Sequence, residues 1–133
     1  MKGTLADIGY DANKHDALIE KVKGRNLTDI AEVIRAVAGV YQTLYDQDAY
    51  EINCGCCEDF AADVIAVLTG DGRETDELFA AWHDNMLDCT EGEADWWSHK
   101  FVVYKGRYYD SQAPEGVDEW RQLPAFQNNP FLD

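Results

Sequence analysis

The sequence predicts an α+β domain. Its N-terminal helices, including a central one headed by a cysteine, pack on a small antiparallel sheet formed by a C-terminal hairpin. Three observations carry this prediction. Apolar residues recur at three- and four-residue spacing through the first half of the chain. From Trp96 onward the period drops to two. The dipeptide Lys105-Gly106 then separates two alternating stretches, as a tight hairpin turn does. At 133 residues the chain is read as one domain, residues 1–133, large enough to bury a real core.

Met1 to Asn13 has no sustained period and is expected to be a tail. His15 to Lys23, with Ala17, Leu18 and Val22 among charges, reads as a short amphipathic helix ended by Gly24. His15 is expected on its surface. Leu27 to Tyr45 carries the strongest helical stripe, through Ile30, Val33, Ile34, Val37, Tyr41 and Leu44, with Thr28 as N-cap. Asp46 to Ile52 is a polar connection. Phe60, Ala61, Val64, Ile65, Val67 and Leu68 cover more than one face of the next helix, which marks it as central, and Gly70-Asp71-Gly72 stops it. Thr75 to Leu87 reads as a further helix through Leu78, Phe79, Trp82 and Met86, with His83 half-buried or facing solvent. Asp88 to Asp95 is an acidic loop that holds Cys89. Trp97, His99, Phe101 and Val103 alternate with Ser98, Lys100, Val102 and Tyr104 as a strand, and Arg107 to Asp110 is its return. Ser111 to Gly116 is expected as a loop around Pro114, Val117 to Gln122 as one helical turn, and residues 123–133 as an irregular tail.

The net charge of −15, from 26 acidic against 11 basic residues, disfavours nucleic acid and anionic membrane as partners. It suits solubility, or a basic partner. No leader or membrane-length apolar run is legible, and the clustering of Cys54, Cys56 and Cys57 is a poor disulfide framework. A reducing, cytoplasmic setting is the expectation.

Those three cysteines sit at the start of the central helix. A helix N-terminus offers free N–H groups and a positive dipole end, and both favour a thiolate. With a two-residue turn at Lys105-Gly106, Tyr104 faces Arg107, Phe101 faces Asp110, and His99 lies diagonal to Asp110 on the same sheet face. A one-residue slip would separate them. A cysteine nucleophile needs a base, and the base needs a third group to orient it. Cys57, His99 and Asp110 are the candidate catalytic residues. The Cys57 N–H is a candidate oxyanion donor, and the Asn53 side chain is the candidate for a second.

Gly55-Cys56-Cys57-Glu58-Asp59-Phe60-Ala61 resembles the Cys-x-x-Phe-Ala helix start of the transglutaminase-like branch of the papain-like cysteine proteases. His99-Lys100-Phe101-Val102 resembles that family's His-Ala-Trp-Val strand, and Gly106-Arg107-Tyr108-Tyr109-Asp110 its strand ending in aspartate. The order Cys, His, Asp agrees. Lys100 departs from the small residue usual after the histidine, and residues 70–98 are acid-rich and short of recognisable strands. The resemblance covers roughly residues 53–114 and selects Cys57 over Cys56 and Cys54 by its spacing to Phe60. It implies a cysteine-dependent hydrolase or acyl transferase that acts on an amide or peptide bond through a thioester. No cofactor is implied, and the partner would be a peptide or protein substrate. Small acidic chains of this kind also resemble phage-encoded or bacterial accessory proteins.

Other readings stand beside this one. Cys54, Cys56, Cys57, Cys89, His83 and His99 are soft ligands enough for a zinc-stabilised structural domain, although Cys-x-Cys-Cys is not the usual zinc spacing. Cys54 or Cys56 could resolve an oxidised Cys57. An idle triad on an acidic surface that docks a basic protein is a third possibility. Trp96, Trp97, Tyr104, Tyr108, Tyr109 and Trp120 serve equally as core packing or as an apolar cleft wall.

Overall fold

A computed structural model describes residues 11–84 and 98–127. Helices α1 (Ala12–Gly24), α2 (Ile30–Tyr45), α3 (Ala49–Gly55) and α4 (Cys57–Thr69) come first. Strands β1 (Leu78–Asp84), β2 (Ser98–Tyr104), β3 (Arg107–Asp110) and β4 (Ala113–Val117) follow. A 3-10 turn, Trp120–Gln122, and the one-turn helix α5 (Pro124–Gln127) come last. The sheet is antiparallel in the order β1-β2-β3-β4, so the expected hairpin is its middle rather than the whole of it. The α+β class holds, with helices N-terminal and strands C-terminal. Among the described residues no helix is long and apolar enough to cross a membrane.

Asparagine-like capping by aspartate sets the first three helix starts. Asp11 accepts the N–H groups of Asn13 and Lys14 at 3.0 and 3.3 Å, so α1 begins inside the stretch expected to be a tail. Asp29, not Thr28, caps α2 by accepting the Ala31 N–H at 2.9 Å. Asp48 and Glu51 form a reciprocal capping box and turn most of the expected connection into α3. The α2 stripe buries Ile30, Val33, Ile34, Val37, Val40 and Tyr41. Helix α4 packs against α1, α2, α3, β1 and β2, which makes it the central element.

Residues 75–87 are the largest departure from expectation. Instead of a helix, their described part supplies β1, paired with β2 from Leu78↔Tyr104 to Asp84↔Ser98, and residues 85–87 lie outside the described residues. Thr75 makes a turn: its hydroxyl accepts the Glu77 and Leu78 N–H groups at 3.2 and 3.1 Å. Leu78 and Ala80 meet the helical core, while Phe79 and Ala81 pack with Phe101, Val103, Leu123 and Phe126 on the other face. A strand covered on both faces loses its polar alternation, so the period-two signal is absent.

The stretch Ser111 to Gly116 is likewise not a loop. Residues 113–117 form β4 at the end of the sheet, where Pro114 is tolerated because no further strand asks for its N–H. Gly116 has φ of 82°, and a Cβ there would stand 2.6 Å from the Tyr109 ring, so only glycine fits. Of the expected irregular tail, residues 123–127 are ordered into the fold: Leu123 is 0% and Phe126 2% exposed, both built into the second core, while residues 128–133 lie outside the described residues.

His15 is also not a surface residue. It is buried, one turn before Ile19 and two before Val22 on the inner face of α1. Its Nε2 lies 2.9 Å from Asp63 Oδ2 and its Nδ1 2.9 Å from the Tyr45 hydroxyl, and Tyr41 donates to the same Asp63 oxygen at 2.7 Å. Burial pushes the Asp63 carboxyl up, against the bonds from Tyr41 and His15. Replacing His15 by Ala removes one of the partners of a half-buried carboxylate. The expected loss is about 2–3 kcal/mol of unfolding free energy, read from urea denaturation midpoints.

Candidate active site

The hairpin forms with the predicted register. Lys105 (φ 51°) and Gly106 (φ 81°) make a two-residue turn with both central residues left-handed, and Tyr104 faces Arg107, Val103 faces Tyr108, and Val102 faces Tyr109. His99 and Asp110 consequently share a face. Their side chains meet at 2.9 Å, Nε2 to Oδ2, with the two groups 0% and 2% exposed.

Cys57 reaches this pair from α4. It is the first helical residue, and its half-buried sulfur accepts the Lys100 N–H at 3.4 Å. The same sulfur hydrogen-bonds the His99 side chain, which sets it beside the imidazole. Asp110 holds Nε2, so Nδ1 is the ring nitrogen that can serve the sulfur. Burial works against a charged His99 ring, but its hydrogen bonds to Asp110 and to Cys57 overcome that, and the imidazole is pushed up to about 9. The head of α4 and the β2–β3 hairpin thus bring Cys57, His99 and Asp110 together.

The start of α4 differs from those of α1, α2 and α3. Its N-cap is Cys56, which makes no side-chain capping bond. The Cys57 N–H belongs to the first turn, where no intrahelical acceptor exists. Cys56 itself is 2% exposed, and burial raises its thiol against a hydrogen bond from Gln47. Of these two neighbours, then, Cys57 has the accessible sulfur and the histidine, and Cys56 is a core residue.

Asn53 has a different partner from the one expected. It is buried, donates from Nδ2 to Gln112 Oε1 at 2.9 Å, and accepts from the Ser111 hydroxyl at 3.0 Å. Ser111 also donates to the Ala49 carbonyl at 2.7 Å, and the Gln112 N–H donates to Asp110 Oδ1 at 2.9 Å. Asn53 therefore clamps α3 to the β3–β4 turn that holds Asp110, instead of presenting its amide to the sulfur. Asp110 has both oxygens engaged, one by the imidazole and one by a backbone N–H.

Sequence reasoning missed this clamp, the Lys100 N–H and the cover over His99. That cover is Phe126, whose ring meets the imidazole edge-to-face at 5.4 Å. The signal available for it was the apolar pair Leu123 and Phe126, three apart after the 3-10 turn. Outside the site's buried part, Trp82 pairs with Lys100 across the sheet and is 48% exposed, with the ammonium 5.0 Å from its ring centre.

Of the residues considered for zinc, Cys89 and the side chains of Cys54 and His83 lie outside the described residues, as do Trp96 and Trp97. Among the described residues no group of three or more His, Cys, Asp or Glu side chains is arranged to hold a metal ion. Comparison of the chain with protein-family models, with curated proteins and with solved structures finds no match.

Proposed function

We propose that the chain is a cysteine-dependent hydrolase or acyl transferase of the transglutaminase-like kind, acting on an amide or peptide bond through a thioester. The observation that carries this is the convergence of the Cys57 sulfur, the His99 ring and the Asp110 carboxylate from α4, β2 and β3. In this reading the sulfur, paired with a protonated His99, attacks the carbonyl carbon. The Cys57 N–H steadies the oxyanion that forms. His99 then gives its proton to the leaving amine as the C–N bond breaks and the thioester remains. Water or an acceptor amine, deprotonated by His99, attacks the thioester and releases Cys57. Asp110 fixes the tautomer and orientation of the ring throughout. The exposed Trp82 ring offers a surface for a peptide on the strand paired with β2, and the net charge of −15 favours a basic one.

The test is covalent labelling by a mild thiol electrophile such as chloroacetamide, followed by intact mass and peptide mapping. At about pH 6 an ordinary thiol is roughly 0.3% ionised, so a Cys57 held as thiolate outpaces it by about a hundredfold. The expected result is one adduct, lost in Cys57→Ala and kept in Cys54→Ser and Cys56→Ser. Equal labelling of all cysteines at the rate of free thiols would sink the reading. It would favour instead an idle triad, to which the complete burial of His99 also lends support.

A further inference from the structure

An open groove of about 620 Å³ runs between α1 and α2, and no residue of α4 or the sheet lines it. Its charge is the reverse of the molecule's. Lys21, Arg25 and Arg35 line it, three of the chain's eleven cations, against Glu32 alone of its twenty-six acids. Arg35 is answered by Glu115 from β4. Among the described residues Lys21 and Arg25 make no ion pair. Leu18, Leu27 and Ala36 lie half-buried along the floor.

Gly39 is the second observation. It sits in the middle of α2, exposed on this groove, and among the described residues nothing lies within 4 Å of where a Cβ would stand. A glycine in a helix interior costs about 1 kcal/mol relative to alanine. Among the described residues the packing gives no reason for it, whereas the close approach of another backbone does.

We propose that the α1–α2 groove docks an acidic amphipathic helix of a partner protein. The helix lays its apolar face on Leu18, Leu27 and Ala36, sets carboxylates against Lys21 and Arg25, and crosses α2 most closely at Gly39. The acidic remainder of the molecule does not forbid such a partner. At about 0.15 M salt the Debye length is about 8 Å, so the docked helix responds mainly to the groove's own charges. The proposal is independent of the chemistry at Cys57.

The experiment uses the full chain and two fluorescein-labelled synthetic helices of about 18 residues. Both carry the same leucine stripe, one with glutamates and the other with lysines on its polar face. Anisotropy titrations at physiological salt are expected to show saturable binding of the glutamate helix. Binding should weaken about tenfold in the K21E/R25E variant, where both changes are at exposed positions. Gly39→Leu should block the site while raising helix stability, so that loss of binding is not loss of fold. Any binding of the lysine helix, drawn to the acidic surface, should be indifferent to these changes or strengthened by K21E/R25E. The proposal is overturned if the glutamate helix does not bind, or binds the parent and K21E/R25E alike. It is also overturned if sedimentation shows a dimer that K21E/R25E dissociates, which would make a second copy the occupant.

Discussion

Asp110→Asn is expected to lower the His99 titration midpoint from about 9 toward the ordinary imidazole value, and to slow Cys57 labelling at about pH 6 roughly a hundredfold. The carboxylate is one of the groups that hold the proton on a ring that burial would otherwise discharge. An asparagine keeps the shape and loses the charge. It can also present its amide to Nε2 and so favour the wrong tautomer. The same change should cost roughly 3 kcal/mol of stability, because it leaves a buried cationic ring without its counter-charge. The pH dependence has a definite sign. The folded-state midpoint of His99 lies above that of a free imidazole, so its charge contributes fully below about pH 6.5 and ceases to as pH rises through about 9. The gap in urea midpoint between parent and Asp110→Asn should therefore be widest near pH 6 and close above pH 9. A constant gap would show that Asp110 acts through packing alone, and an unmoved His99 resonance in NMR titration would remove it from the site.

Phe126→Ala is expected to cost about 3–5 kcal/mol, the range for deleting a buried aromatic ring. Phe126 is 2% exposed and meets His99, Phe101 and Trp120 at ring-centre distances of 5.4, 6.0 and 4.8 Å, each edge-to-face. Against a typical stability of about 5–15 kcal/mol for a domain, that loss corresponds to a fall in melting temperature of roughly 10–20 °C. Phe126→Leu should recover most of it, since volume is restored without the ring. Calorimetry of the three proteins checks this. A Phe126→Ala loss below about 1 kcal/mol would mean that the C-terminal segment is a surface strap and not part of the core.

The parts of the fold that the sequence made legible are those where one face is wet. The stripe of α2 and the Lys105-Gly106 turn could be read directly, and the turn in turn set the register that puts His99 beside Asp110. The choice of Cys57 over Cys56 came from its spacing to Phe60, whereas the burial of the Cys56 side chain was not legible in the sequence. Hidden elements were the ones covered on both sides or read as breakers. Strand β1 alternates between two apolar cores, so Leu78, Phe79, Ala80 and Ala81 give no period. Pro114 and Gly116 read as loop residues, although one sits where no strand pairs with it and the other where an aromatic ring leaves no room. His15 could have been placed inside by its spacing to Ile19 and Val22. Its partners Asp63 and Tyr45 lie on other helices, and no local pattern announces them. Asn53 was legible as a polar residue near the site but not as a clamp, because Gln112 and Ser111 are far from it in sequence.

Only Cys56 separates α3 from α4: it is the C-cap of one helix and the N-cap of the other. Asn53 anchors α3 to the turn that carries Asp110, and Cys57 opens α4 against the strand that carries His99. Cys57 and Asp110 are thereby joined by two routes that close into a ring, one through the imidazole and one through α3. A structure braced in this way cannot let its sulfur drift from its carboxylate without breaking a bond on both sides, so when either route is loosened the other still carries the spacing.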